Sequence, residues 1–184
     1  MTWREDLVAN TGLSGVKGAI VGWMTSPGFV IITWWRLAKR LRSSGRIGRA
    51  LSWIIVRSCL TGRGCYISLL AEIGPGLILP HPIGLVIGEG VRIGRSVTLY
   101  QSVTLGRHGL SEAEYPEIKD RVVVYAGAVV IGAVTVGEAA IIAANAVVNR
   151  DVPPGAVAAG IPARVLSNRK GNPIVGAPSG LRAR

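Results

Sequence analysis

A period of six constrains this chain more than any other feature. Starting at Ile87, the aliphatic residues fall at Ile87, Ile93, Leu99 and Leu105, then at Ile118, Val124, Val130, Val136, Ile142 and Val148. Four residues after each comes a second set of small or branched residues: Val91, Val97 and Val103, then Val122, Ala128, Val134, Ala140, Ala146 and Val152. Six matches neither the 3.6 of a helix nor the 2 of a strand. It fits a left-handed parallel β-helix, in which each hexapeptide makes one flat face and three faces make a coil. The first set points into a narrow prism and the second fills the space beside it. Gly74, Gly88, Gly94, Gly106 and Gly137 follow the first set, where a side chain would crowd a corner. A buried parallel sheet of the βαβ kind would need helices between its strands, and no segment from 67 to 152 is long enough for one.

The repeat breaks twice. Ile67, Ile73, Leu79 and Leu85 keep step, but the next series starts at Ile87, a shift of two near His81-Pro82. The second break is the loop 107–117, with Arg107, His108, Glu112, Glu114 and Tyr115. Insertions in a solenoid leave the stack as loops, often on the working face. The two histidines of the protein therefore both sit at irregularities.

The expected fold is mainly β: a left-handed parallel β-helix over 65–166, preceded by a short α-helical segment over 1–64. Within that segment the sequence predicts a helix from Trp3 to Ala9 with Thr2 as N-cap and Glu5 in its first turn. Gly12, Gly15, Gly18 and Gly22 are expected to loosen the next stretch, and Pro27-Gly28 to punctuate. A second helix is expected from Phe29 to Leu41, with Ile31, Trp34, Trp35, Ala38 and Leu41 on one side and Arg36, Lys39, Arg40 and Arg42 on the other. A third runs from Arg46 to Leu60, with Ile47, Leu51, Ile54 and Ile55 opposite Arg46, Arg49 and Arg57. Asp151-Val152-Pro153-Pro154-Gly155 is expected to end the repeats, because prolines cannot continue a ladder. Ala158 to Val165 then reads as a compact turn, and 167–184 as a flexible basic tail with Arg169, Lys170, Arg182 and Arg184.

The net charge is +11, and it is uneven. No Asp or Glu lies between Leu7 and Ala71, a span holding Lys17, Arg36, Lys39, Arg40, Arg42, Arg46, Arg49, Arg57 and Arg63. A basic, Trp-rich amphipathic pair is suited to an anionic membrane surface; it is also suited to packing on the open end of the β-helix, with its arginines solvated. The uncharged run from Gly18 to Trp35 is interrupted by Ser26-Pro27-Gly28, which argues against a span. No stacking-aromatic or recognition-helix motif points to nucleic acid. The start lacks the pattern of a cleavable signal peptide. Cys59 and Cys65 form no CxxC pattern and read as reduced thiols. The expected location is cytoplasmic, with the front end able to rest on the inner membrane surface.

His81, in Leu79-Pro80-His81-Pro82-Ile83-Gly84, is the leading catalytic candidate. A neutral imidazole can take a proton from a hydroxyl near pH 7. With two histidines in the chain, a three-His metal site within one chain is impossible, and no metal is expected. There is no dinucleotide fingerprint, P-loop or nucleophile elbow.

Three ordered stretches carry a resemblance: Leu79 to Glu89, Gln101 to Gly106, and Ala158 to Arg164. They are similar to the serine acetyltransferase branch of the hexapeptide-repeat acyltransferases, over about Ile67 to Val165. The resemblance implies acetyl-CoA as co-substrate, a homotrimer with sites between neighbouring β-helices, and His81 as general base. It implies that Gly106, Ala126, Gly127 and Ala144 line the CoA arm, with Arg164 near the nucleotide end. It makes Tyr66, Glu114, Tyr115 and His108 the acceptor-site candidates.

The departures are specific. The family's Asp before the catalytic His is Pro80 here, and its earlier Asp aligns with Tyr66. The family's Arg-His pair before a proline aligns with Glu114-Tyr115. Glu114 has the wrong sign to hold an amino-acid carboxylate. The short front end, with Glu5-Asp6-Leu7-Val8-Ala9-Asn10 and Trp35-Arg36-Leu37-Ala38, resembles the colanic acid and exopolysaccharide acetyltransferases. The expected reaction is therefore acetyl transfer to a hydroxyl acceptor, a small molecule or lipid-linked glycan, in polysaccharide biosynthesis. Serine as acceptor, and a non-catalytic scaffold, are the alternatives.

Overall fold

The computed structural model describes residues 2–109 and 114–168. Four helices come first: α1 (Thr2–Thr11), α2 (Gly15–Thr25), α3 (Pro27–Arg42) and α4 (Gly45–Ile55), followed by a π-turn (Val56–Leu60) and a 3-10 turn (Thr61–Arg63). Short strands then wind into a left-handed β-helix with three faces. Sheet A holds β1 (Tyr66–Ile67), β3 (Val86–Ile87), β6 (Thr104–Gly106), β9 (Val129–Ile131) and β12 (Val147–Val148). Sheet B holds β2 (Glu72–Ile73), β4 (Arg92–Ile93), β7 (Glu117–Ile118) and β10 (Thr135–Val136). Sheet C holds β5 (Thr98–Leu99), β8 (Val123–Val124), β11 (Ile141–Ile142), β13 (Ala156–Gly160) and β14 (Ala163–Asn168). All pairings are parallel except β13 with β14.

Both sets of the repeat are buried from end to end, with exposures from 0% to 6%. Each buried Val, Ile or Leu contributes roughly 1.5–3 kcal/mol relative to an exposed one, which is why a prism this thin holds together. Leu85 belongs to the second set rather than the first, since it stands two residues before Ile87 as Val91 does before Ile93. Two of the three corners carry columns of left-handed residues. One column is Gly76, Ser96, Arg121, Ala139 and Gly155; the other is Gly84, Ser102, Gly127 and Asn145. The glycines after the first set have a different job. A Cβ on Gly74 would meet the Gly94 carbonyl oxygen at 2.5 Å, and one on Gly137 the Pro154 nitrogen at 2.4 Å. There, absence of a side chain lets successive coils stack.

The first coil has no coil above it, so its backbone groups lack a ladder. Side chains from the helices take the place of one. Trp35 Nε1 donates to the Ser68 carbonyl (3.0 Å) and Lys39 to the Ala71 carbonyl. Arg36 donates to the carbonyls of Ile73 (3.2 Å) and Gly74 (2.7 Å). Asp6 accepts from the Gly76 N–H (2.9 Å), and Asn10 donates to the Leu77 carbonyl (2.7 Å) and accepts from the Leu79 N–H (3.1 Å). Asp6, 1% exposed, also forms an ion pair with Arg36. Arg36 and Lys39 thus turn inward onto the β-helix rather than joining Arg40 and Arg42 on an outer face. Burial lowers the Lys39 ammonium below its ordinary value, Glu72 partly offsets that, and Arg36 adds to the lowering.

The helical segment differs from expectation in three more ways. Gly15–Thr25 is a helix, not a loosened stretch. Gly18 and Gly22, one turn apart, form its buried stripe, and a Cβ on Gly22 would meet Leu7 and Thr11 at 2.9 Å. Close packing outweighs the low helix propensity of glycine. Then α4 buries Gly48 and Ser52 against α3, while Ile47 (80%), Leu51 (46%) and Ile54 (51%) face outward. A Cβ on Gly48 would meet the Leu41 carbonyl oxygen at 2.3 Å, so the glycine side is the one that fits. Thr2 is already helical, so the expected N-cap does not exist as such. Among the described residues no single helix is long and apolar enough to cross a membrane; α2 and α3 qualify together but bend by 107°.

At the far end the chain does not stop at Pro153-Pro154. Ala156 to Gly160 adds a strand beside β11, and β14 turns back antiparallel on it, joined by the cis Ile161–Pro162 bond. The expected compact turn is therefore a hairpin, and it reaches Asn168. The tail from Arg169, Glu112 in the loop, and the Cys59 side chain lie outside the described residues.

Candidate active site

His81 lies at the corner between sheets C and A. Eight residues separate Ile78, which bridges to Thr98, from Val86, which pairs with Thr104; only six separate those two partners. The two-residue surplus has to leave the prism, and it carries His81 out exposed while Pro82 stays buried. The bulge is pinned on both sides. Before it, Ile78–Leu79 is held by Asn10 and pressed by α3, where a Cβ on Gly28 would lie 2.1 Å from the Leu79 carbonyl oxygen. Within it, the Ile83 N–H donates to the His81 carbonyl (2.8 Å) and the buried Cys65 thiol donates to the Pro82 carbonyl. After it, the Gly84 N–H donates to the Gly64 carbonyl (2.8 Å). Burial raises the Cys65 thiol above its ordinary value, with a backbone hydrogen bond to Leu85 opposing, so it stays a donor near neutrality.

The same corner continues down the stack. The Ser102 N–H bonds the Ile83 carbonyl, the Gly127 N–H the Gln101 carbonyl, and the Asn145 N–H the Ala126 carbonyl. Ala126, Gly127 and Ala144 therefore stand in one column with His81, as three of the expected CoA-lining positions. Gly127 is fixed by two constraints: its φ is +71°, and a Cβ would meet Asn145 Oδ1 at 2.1 Å. Tyr100 and Tyr125, one residue before Gln101 and Ala126, stack with centroids 5.1 Å apart.

The other expected residues lie elsewhere in the same chain. Gly106 ends β6 at the corner between sheets A and B, and His108 packs over Gly132 there. Glu114 is exposed at the same corner. The Tyr115 ring lies over Gly88 and Gly90, where a Cβ on Gly90 would meet it at 2.4 Å. Tyr66 is on β1, with its N–H on the Leu85 carbonyl (2.8 Å), at the exit of the His81 bulge and 49% exposed. Arg164 is exposed on β14, paired with Ala159. His81 and the loop residues are thus on different corners of one prism, and a single chain does not bring them together. Among the described residues no group of three His, Cys, Asp or Glu is placed to hold a metal ion.

Sequence reasoning missed Gln101, Asn10, Gly28 and Cys65. The Gln101 side-chain oxygen is buried without a hydrogen-bond partner, one coil on from His81. Its place in the Gln101–Gly106 stretch was the available signal. Asn10 belongs to the front-end stretch that resembles the exopolysaccharide enzymes. Its contacts, with those of Asp6 and Arg36, make that stretch a clamp on the first coil.

No family model matches the chain. The serine acetyltransferase of Helicobacter pylori (strain J99) is 42% identical over 144 residues, 77% of this chain and 82% of that protein. That of Mycobacterium tuberculosis is 42% identical over 104 residues, 56% of this chain and 45% of that protein, so the chain spans less than half of that relative. The solved structure of soybean serine acetyltransferase complexed with serine superposes with a TM-score of 0.78 at 31% identity, over 90% of this chain and 68% of that one. A serine acetyltransferase in complex with CoA superposes with a TM-score of 0.75 at 29% identity, over 90% and 68%. Identity over most of its length and the shared β-helix together place this chain in the serine acetyltransferase family of acetyl-CoA-dependent O-acetyltransferases.

Proposed function

We propose that the protein transfers the acetyl group of acetyl-CoA to the hydroxyl of serine, with His81 as general base. The observation that carries this is the C–A corner: His81 is pushed out of the prism at the corner whose next coils carry Ala126, Gly127 and Ala144. The imidazole accepts the proton of the acceptor hydroxyl as the oxygen attacks the thioester carbonyl. The tetrahedral adduct collapses, the C–S bond breaks, and the imidazolium returns the proton to the CoA sulfur. The products are an O-acetyl ester and free CoA thiol.

His81 stands at a different corner from Gly106, His108, Glu114 and Tyr115, so the complete site joins the C–A corner of one copy to the A–B corner of the next. A homotrimer supplies that arrangement. It also brings Gly106 of one chain toward the column of Ala126 and Ala144 in another, with Arg164 available to the nucleotide phosphates. The relatives favour serine over the glycan expected from the front end and from Glu114. Glu114 and Tyr115 supply no cation for the carboxylate of serine; within the loop Arg107, which is exposed, is the side chain of the right sign.

The test is release of CoA thiol from acetyl-CoA, with serine varied, by wild type and His81→Ala. Serine-dependent release that falls about 100-fold or more in the variant is the expected result. An equally active variant removes His81 from the mechanism. Release driven by a sugar hydroxyl and not by serine replaces the acceptor.

A further inference from the structure

Two surfaces of the helical segment are apolar and face outward. On α4, Ile47, Leu51 and Ile54 recur at helical spacing with exposures of 80%, 46% and 51%, and Trp53 beside them is 68% exposed. On α2, Val16 (78%), Ile20 (58%), Trp23 (46%) and Met24 (79%) are also exposed. Both helices pack on α3, and the Trp23 ring meets Trp34 of α3 edge-on at 5.7 Å. The opposite side of α3 is committed to the first coil through Trp35, Arg36 and Lys39. The outward surface is therefore not what holds this segment to the β-helix.

Charge selects among occupants. Lys17 on α2, Arg40 and Arg42 at the end of α3, Arg46 and Arg49 on α4 and Arg57 in the turn after it are all exposed, and the chain has no Asp or Glu between residues 8 and 71. Arg46 and Arg49 lie on the same short helix as the apolar stripe. A second copy meeting this surface face to face would set these cations against themselves, with no carboxylate on α2, α3 or α4 to offset them. A phospholipid surface of net negative charge satisfies both properties at once: headgroups take the arginines while the apolar stripe and the tryptophans enter the interface. We propose that α2 and α4 bind an anionic bilayer surface, lying in its plane, with the β-helix held on the cytosol-like aqueous side. The 107° bend between α2 and α3 suits helices that lie along a surface rather than cross it. His81 sits in the first coil, the one covered by this segment, so the catalytic corner is at the surface-proximal end of the prism.

The experiment is co-sedimentation of the full chain with vesicles of phosphatidylcholine containing phosphatidylglycerol, beside phosphatidylcholine alone, at low and high salt. Binding to the anionic vesicles should exceed binding to the neutral ones by about tenfold or more and fall steeply with salt. The Leu51→Glu/Ile54→Glu pair, and separately Arg46→Glu/Arg49→Glu, should each remove it while oligomeric state and thiol release from acetyl-CoA stay unchanged. Tryptophan emission should shift to the blue on anionic vesicles only. Absence of binding, or equal binding to neutral vesicles, overturns the proposal. So does a change in oligomeric state in the variants without lipid, which would assign the surface to a second copy. The arginine pair keeps the test decisive if the glutamates in the apolar stripe impair folding.

Discussion

The β-helix and the helices α2 and α4 are all rich in apolar side chain, and they point it in opposite directions. From Ile67 to Val152 the aliphatic residues turn inward on a six-residue period and are sealed. In α2 and α4 glycines and Ser52 turn inward, while Ile20, Ile47 and Ile54 turn outward. In one region apolar residues make the core. In α2 and α4 small residues make the inward contact and apolar ones face out, while α3 between them seals Ile31, Ile32 and Trp35 against the first coil. Hydrophobicity alone tells where a face is, not which way it looks.

That contrast can be broken most severely at the seam. Asp6→Ala leaves Arg36 without its partner and the Gly76 N–H unbonded, and should cost about 3–5 kcal/mol, read as a lowered midpoint in chemical denaturation. Inside the prism, Ile142→Ala should cost about 2–5 kcal/mol. The matching change on α4, Ile47→Ala, should stay within about 0.5 kcal/mol; a large loss there would mean that the outer face is structural after all. Asn10→Ala strips partners from Leu77 and Leu79 and should cost about 1–3 kcal/mol. Because Leu79 leads into His81, it should also lower thiol release from acetyl-CoA more than Ile47→Ala does. The smallest effect concerns pH. The folded state holds the Cys65 proton more tightly than the unfolded chain, so stability is intact below the ordinary thiol value and declines as pH rises through it. Cys65→Ser should flatten that decline in pH-dependent denaturation.

The repeat was legible because successive coils pair residues about 18 apart, stretched to 20 across the His81 bulge and 25 across the loop, and the period writes those contacts into the sequence. His81 was legible because a surplus of two residues has nowhere to go but out. The clamp was not. Asp6 and Gly76 are separated by 70 residues, and no local pattern says that a side chain on α1 will replace a backbone partner there. The glycines at 18 and 22 misled for a related reason: their low propensity is a local cost, and what offsets it is contact with Leu7, Thr11, Leu13 and Phe29, which the local window does not weigh. The division of the site between corners also lies beyond one chain's periodicity, since it depends on a neighbour.

The row of side chains over the first coil has a consequence for how long such a molecule can be. Parallel coils present unpaired N–H and C=O groups at each end, a template on which another chain could add. Here Trp35, Lys39, Arg36, Asp6 and Asn10 occupy that template at the start, and at the finish β14 reverses direction on sheet C. Deprived of its helices, the solenoid would have an open, sticky end. Its first failure would then be to join other copies end to end into fibres, with each prism still wound.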